Sequence, residues 1–154
     1  MDDHVTDVAA AVESAVESLV SVLDSARDAQ TPTVPPAQLR VLSIIAGNRH
    51  TNMSRLADAL DVVPSSASRL CDRLEAAGLL RRVPDPRDRR EVRLMLTPSA
   101  RRLLDQIRER RRAALAEVLD RMPEPSREEL LRSLTAFAAA SEPEEREQED
   151  LRTA

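Results

Sequence analysis

Small polar and basic side chains occupy one face of a predicted helix near the middle of the chain. The apolar residues of this helix recur at helical spacing and are predicted to face inward: Ala67, Leu70, Cys71, Leu74 and Ala77. The outer face is then formed by Ser65, Ser66, Ser68, Arg69, Asp72 and Arg73. Short serine side chains allow a helix to lie deep in a groove, where hydroxyl and guanidinium groups can reach base edges. We interpret this face as a reader of the DNA major groove, with ordinary helix N-terminal capping as the alternative for the serines.

A second cluster of charge lies in a turn between two predicted strands. This turn holds three arginines, Arg87, Arg89 and Arg90, with the carboxylate of Asp88 among them. An arginine at a hairpin tip suits the narrow, electrostatically negative minor groove. The alternative interpretation is a charged loop that only contacts solvent.

The distribution of charge supports binding to a polyanion, although the net charge of the chain is −4. Residues 64–102 contain ten arginines and five acidic residues, a local charge of +5. The two ends are acidic, with −6 over residues 1–28 and −4 over residues 142–154. The positive charge is therefore concentrated in the part of the chain that carries both candidate clusters.

Periodicity predicts the elements that position these clusters. A long amphipathic helix is expected over residues about 5–28, and a buried helix over 37–46 begins after two prolines and ends at Gly47. A short helix over 53–60, capped by Thr51 or Asn52, precedes the serine-rich helix that starts at Pro64 and stops at Gly78. Two short helices joined by a three-residue turn are typical of a helix-turn-helix.

Beyond Gly78 the period changes from that of a helix to that of a strand. Strands are predicted over 80–83 and 92–96, and they enclose the arginine-rich turn as a β-hairpin. A long fifth helix is expected from Thr97-Pro98, and a sixth from a capping box at residues 126–129. The predicted fold is mainly α with a small β-hairpin wing, a winged helix-turn-helix with flanking dimerisation helices.

The serine-rich helix and the turn together carry a family resemblance. The segment SSASRLCDRLEAAGL at residues 65–79, followed by DPRDRR at residues 85–90, resembles the recognition helix and wing of MarR-type transcriptional regulators. The resemblance spans roughly residues 35–140. It implies a homodimeric repressor whose fourth helix reads the major groove, whose wing enters the minor groove, and whose first, fifth and sixth helices form the dimer interface.

The resemblance also implies roles for individual residues. Arg90 is the wing-tip arginine, Asp88 braces the wing or recognition-helix arginines, and Arg73 contacts phosphate or acts as a brace. Val63 departs from the family pattern, which often has a capping Ser or Thr before the recognition helix.

These observations divide the chain into regions. A winged helix-turn-helix DNA-binding region is predicted over 35–97, and a helical dimerisation region over 1–34 and 98–141. The acidic segment 142–154 is expected to be a flexible tail. The expected partners are double-stranded DNA and a second copy of the chain. A small-molecule effector is conceivable, but the sequence assigns it no residues.

Composition excludes several other classes. With Cys 1, the chain has no disulfide framework or multi-cysteine zinc site, and Cys71 is expected to be a buried, inert thiol. His4 and His50 have no second ligand at helical spacing, so no metal or cofactor is predicted. No nucleophile-base pair or paired-carboxylate site suggests an enzyme. The absence of a signal peptide or long apolar run favours a cytoplasmic protein without membrane contact.

One alternative belongs to a different class. The chain could be a helical dimeric scaffold module that binds an acidic protein partner through its basic hairpin. A steep dependence of DNA affinity on salt would distinguish DNA binding from this alternative.

Overall fold

The computed structural model of the chain describes residues 3–28, 34–48, 50–86 and 91–141. The described chain is mainly helical with one β-hairpin, which confirms the predicted fold class. Its elements are α1 (Asp3–Asp28), α2 (Pro36–Gly47), α3 (Met53–Leu60), α4 (Pro64–Ala76), β1 (Leu80–Pro84), β2 (Val92–Leu96), α5 (Pro98–Asp120) and α6 (Glu124–Ser141). The chain forms two compact units, Met1–Ala114 and Leu115–Ala154.

Local capping sets the turn between α3 and α4. The Asn52 side-chain oxygen accepts a hydrogen bond from the Arg55 backbone N–H at 2.9 Å, so Asn52 is the N-cap of α3. Asp61 ends this helix in the left-handed region at φ +54, a conformation that aspartate tolerates better than most residues. Pro64 then occupies the first turn of α4, where a missing N–H costs no helical hydrogen bond. The predicted helix-turn-helix is thereby confirmed.

Gly78 ends α4 as predicted, in the left-handed conformation at φ +69. The Leu79 N–H donates to the Leu74 carbonyl at 2.9 Å, which closes the last turn of the helix. One expectation for this helix was wrong: Ala77 is exposed and does not face inward. Ala77 is the C-cap residue, so it lies beyond the last regular turn, where the helical period no longer determines its direction.

The hairpin is antiparallel, with Arg82 opposite Leu94 and Val83 opposite Arg93. Sequence analysis missed its continuation on the far side of β2. There the Leu94 N–H donates to the Thr51 carbonyl at 2.9 Å, and Asn52 forms a bridge with Arg93. The segment that caps α3 therefore also holds the wing, so the wing and the helix-turn-helix share a hydrogen-bonded edge.

The core of the first unit lies beneath the wing and between the helices. Its buried side chains come from every element from α2 to α5: Val41, Leu42, Ile45, Leu56, Cys71, Leu74, Leu80, Leu94, Leu96, Ala100 and Leu104. The Thr97 hydroxyl donates to the Gly78 carbonyl at 2.8 Å and accepts from the Ala100 N–H at 3.2 Å. It therefore caps α5 and ties its start to the end of α4.

The start of α6 differs from the predicted capping box. The helix begins at Glu124, two residues before Ser126, whose N–H already donates to the Pro123 carbonyl at 3.0 Å. A proline at position 125 is compatible with this start because the first-turn N–H groups of a helix have no intrahelical partner. No described helix has the length and apolar character needed to cross a membrane.

Candidate nucleic-acid interface

The outer face of α4 carries the side chains singled out from sequence. Ser65, Arg69 and Arg73 are exposed, whereas Ser66 and Ser68 are half-buried. The N-cap of α4 is Val63, and no side chain caps the helix. Capping therefore does not account for Ser65, which lies inside the first turn. The structure thus brings an exposed surface of hydroxyl and guanidinium groups together on one helix.

The other predicted residues, Arg87, Asp88, Arg89 and Arg90, lie outside the described residues. The base of their turn is described: the Asp85 N–H donates to the Glu91 carbonyl at 2.9 Å and closes the hairpin. The Asn52 amide also donates to the Glu91 carboxylate at 3.2 Å. The base of the turn is therefore tied to the N-terminus of α3.

Arg82 is a residue of this region that sequence analysis missed. Its guanidinium donates to the Glu75 carboxylate at 2.7 Å through Nη1 and lies 2.7 Å from the Asp72 carboxylate through Nη2. Nη2 is also 3.5 Å from the Ser68 carbonyl oxygen, the outer limit for a hydrogen bond. One arginine of β1 thus contacts three residues of α4 that lie about one turn apart from one another.

The backbone of Arg82 takes part in the same contact. Arg82 and Leu94 face each other, but the Leu94 N–H is bonded to Thr51, so this is a pair without hydrogen bonds between β1 and β2. The Arg82 N–H therefore points away from β2, and it donates to Glu75 Oε1 at 3.3 Å. Two residues on, Pro84 has no N–H to expose at the equivalent position. Both features cover the outer edge of the hairpin.

Two sequence patterns are consistent with the contact between Arg82 and α4. Alternation along β1 places Arg82 on the same side as buried Leu80, while Arg81 is exposed on the other. On α4, Asp72 and Glu75 are three residues apart and share one face. The hydrogen bond to Asp72 raises the pKa of Arg82 above its ordinary value, with the charges of Asp72 and Glu75 acting in the same direction. Arg82 therefore stays fully charged.

Cys71 precedes Asp72 in α4 and is fully buried in the core. Burial raises the pKa of its thiol to about 11, an effect that Asp72 and Glu75 reinforce and Arg82 opposes. The thiolate is the reactive form of cysteine, and a thiol with this pKa is almost entirely protonated at neutral pH. The prediction that Cys71 is a buried residue is confirmed.

Two open cavities border the wing in the first unit. One, of about 350 Å³, is lined by polar and charged residues of both signs, including His50, Arg55 and Glu91. The other, of about 400 Å³, lies between the end of α2, β2 and Arg101. Over the described ranges, no group of three or more His, Cys, Asp or Glu side chains is arranged to hold a metal ion.

A helix-turn-helix joined to a β-hairpin wing, with an exposed serine and arginine face on its second helix, defines a winged helix-turn-helix protein. The sequence profile of the MarR family matches residues 33–91. The HTH-type transcriptional repressor MdtR of Bacillus subtilis (strain 168) is 32% identical over 117 residues, 74% of each chain. This chain belongs to the MarR family, and it is a DNA-binding transcriptional regulator.

Solved structures agree with this assignment. The crystal structure of RV1404 from Mycobacterium tuberculosis is 33% identical, with a TM-score of 0.80 over 95% of this chain and 100% of that one. A MarR family protein from Bacillus stearothermophilus is 20% identical and shares the fold, with a TM-score of 0.77 over 91% of this chain and 97% of that one. The family is one of transcriptional regulators rather than of enzymes.

Proposed function

We propose that this chain is a homodimeric, sequence-specific repressor that reads a pseudo-palindromic operator. The observation that carries the proposal is the exposed surface of Ser65, Arg69 and Arg73 on a helix that is anchored to the wing. In the proposed complex α4 lies in the major groove and reads base edges. The wing turn enters the minor groove with Arg87, Arg89 and Arg90, and Asp88 braces these arginines. The repressor name of MdtR supports the direction of regulation.

The proposed dimer rests on apolar surface that a single chain leaves exposed. On α1 the exposed valines recur at helical spacing: Val5, Val8, Val12, Val16 and Val20. On α6 the exposed apolar residues are Leu130, Leu131, Leu134 and Phe137, the last 66% accessible. Contiguous apolar surface of this kind marks an interaction site in a protein that stays in solution. We assign 1–34 and 98–141 to dimerisation, 35–97 to DNA binding and 142–154 to an acidic tail.

Dimer symmetry and charge set the expected binding behaviour. A two-fold dimer that places two copies of α4 on one face of the duplex requires half-site centres about 10 bp apart. Affinity should fall steeply with salt despite the net charge of −4, because arginines that contact phosphates release counterions.

The test is selection of binding sites from a random duplex pool with the full-length chain, followed by measurement of Kd at several salt concentrations. Recovery of a pseudo-palindrome, with log K falling linearly with log salt, supports the proposal. A pool without an enriched motif, or an affinity that does not respond to salt, would contradict it and favour the scaffold that binds an acidic partner.

A further inference from the structure

We propose that Arg82 is a positioning residue for DNA recognition, which sets the angle between the wing arm and α4 without contacting DNA itself. The wing arm is the pair of strands Leu80–Pro84 and Val92–Leu96. The Arg82 clamp is the set of contacts from Arg82 to Asp72 and Glu75. This inference rests on the proposed function, and it identifies the contact that holds the wing arm and α4 at a fixed angle to each other.

The geometry of the clamp fixes orientation as well as distance. The planar guanidinium uses Nη1 for Glu75 and Nη2 for Asp72, each at 2.7 Å. The backbone N–H of the same residue makes a third bond to Glu75 at 3.3 Å. Both terminal nitrogens of the planar guanidinium are bonded, and the backbone N–H of Arg82 is bonded to one of the same partners. Together these contacts resist rotation of the strand relative to the helix.

The clamp lies next to the helix face that is proposed to read bases. Ser68, Asp72 and Glu75 follow one row along α4; Arg73 follows the clamp residue Asp72 by one position in the sequence, and Arg69 follows Ser68, whose carbonyl also lies near Arg82. A tilt of the helix away from β1 would therefore displace Arg69 and Arg73 from the groove. Because base contacts depend on precise placement of donors, such a tilt lowers affinity for the operator more than affinity for random DNA.

The clamp also accounts for two carboxylates on a helix that faces a polyanion. Asp72 and Glu75 would repel phosphates if they were unpaired, and the Arg82 guanidinium neutralises part of their charge. The side chain of Arg82 is 27% accessible, against 60% for Asp72 and 41% for Glu75. Since ion pairs with this much solvent exposure contribute little to folding stability, the main effect of the clamp is on geometry.

Arg81 provides a matched control. It precedes Arg82 on β1, carries the same charge, and is exposed on the opposite side of the strand. We expect Arg82→Gln to weaken operator binding about tenfold relative to Arg81→Gln, a size that lies within the range of coupling between residues of one charged network. A plot of log K against log salt should be no less steep for Arg82→Gln than for Arg81→Gln, because Arg82→Gln removes no phosphate contact.

A double-mutant cycle separates positioning from simple charge. In an Asp72→Asn, Glu75→Gln background, the clamp is already absent, so Arg82→Gln should cost no more than Arg81→Gln does in the same background. Arg82→Lys keeps the charge but not the fork, and we expect it to remain several-fold weaker than the unmodified chain. Thermal unfolding should shift by less than about 5 °C in each clamp variant, which shows that the variants are folded.

Three results would overturn the proposal. They are equal losses of operator affinity for Arg82→Gln and Arg81→Gln, a salt slope lowered by about one for Arg82→Gln alone, or an undiminished loss of affinity for Arg82→Gln in the Asp72→Asn, Glu75→Gln background.

Amide hydrogen exchange tests the contact between Arg82 and Glu75 without DNA. The Arg82 N–H should be protected, and Glu75→Ala should accelerate its exchange about tenfold. Failure of the unmodified chain to select any operator would refute the proposed function, whereas an unprotected Arg82 amide would refute the clamp.

Discussion

The DNA-binding region and the helices α1 and α6 differ in where their apolar side chains lie. From α2 to β2 most of the large apolar side chains lie in a shared core, with Val62, Val63 and Val92 exposed at its margin, and Arg82 at its edge is paired with Asp72. On α1 a row of five valines is exposed, and α6 has no buried residue at all. The first region buries its apolar side chains within one chain, whereas we propose that a second copy of the chain covers the exposed ones on α1 and α6.

The largest expected effect comes from breaking the surface of α1. Val12→Glu places a charge in the middle of the exposed valine row and should prevent dimer formation. Because a monomer contacts one half-site only, operator affinity should fall roughly 10²- to 10⁴-fold. Sedimentation equilibrium at micromolar concentration and Kd measured on the selected operator check both outcomes.

Ser14→Glu is the matched control for this change. Ser14 is exposed on α1 between Val12 and Val16, but it points away from the valine row. It should leave the dimer intact. A stable monomer for the unmodified chain, or equal behaviour of Val12→Glu and Ser14→Glu, would remove the proposed contrast between the two regions.

Truncation of a leucine to alanine should change the free energy of unfolding differently in the two regions. Leu74 on α4 is fully buried, and Leu74→Ala should destabilise the fold by about 2–5 kcal/mol through lost burial and a residual cavity. Leu131→Ala on α6 removes the same atoms from a side chain that is 68% exposed, so it should barely change unfolding measured at concentrations where the dimer is dissociated. Denaturant unfolding at several protein concentrations measures both effects, and a large loss for Leu131→Ala at low concentration would contradict the comparison.

Within the DNA-binding region, the helix and the wing should fail in different ways. Arg69→Ala should cost about 1–3 kcal/mol and relax preference at particular base pairs, since we propose that Arg69 reaches base edges. Arg90→Ala should cost a similar amount but keep most half-site preference, because the minor groove is read by width and potential. Competition assays with operators changed at single base pairs distinguish the two patterns, and unchanged preference in both variants would contradict base reading by α4.

Asp88→Ala tests the proposed brace in the wing turn. Although the change removes a negative charge from the proposed DNA-contacting turn, we expect weaker binding, because the proposed brace would no longer hold the flanking arginines. A charged loop in solvent makes the opposite forecast, in which loss of the carboxylate tightens binding by Coulomb attraction. Kd measured at two salt concentrations decides between them, and tighter binding at both would exclude the brace.

The smallest effect concerns pH. Because the pKa of Cys71 is raised to about 11 in the folded chain, the native state holds its proton where the unfolded state loses it. The stabilisation from this group is constant below the unfolded pKa of cysteine and declines as pH rises towards 11. At pH 10 the loss should reach about 1–2 kcal/mol. Comparison of unfolding free energies with those of Cys71→Ala isolates the effect, and parallel pH profiles would contradict it.

The sequence alone determined most of the local structure of this protein. Gly78, Pro64 and Asn52 end or begin their helices as their residue types predict, because capping involves groups only a few positions apart. The apolar period likewise determined which face of α4 is buried and that Ser65, Arg69 and Arg73 are exposed, although Ser66 and Ser68 are half-buried. The start of α6 was misplaced because Pro123 and Pro125 permit an earlier turn than the Ser126 capping box suggested.

Only the tertiary structure decided how these elements are joined. Arg81 and Arg82 are the same residue type in adjacent positions, yet packing of β1 against α4 gives Asp72 and Glu75 to Arg82 and leaves Arg81 exposed. The pairing of Thr51 with Leu94 likewise joins segments more than 40 positions apart in the sequence, with no local signal in either. Local periodicity states which face of an element is buried, but the partner across that face depends on the packing of the whole unit, because many alternative partners satisfy the same period.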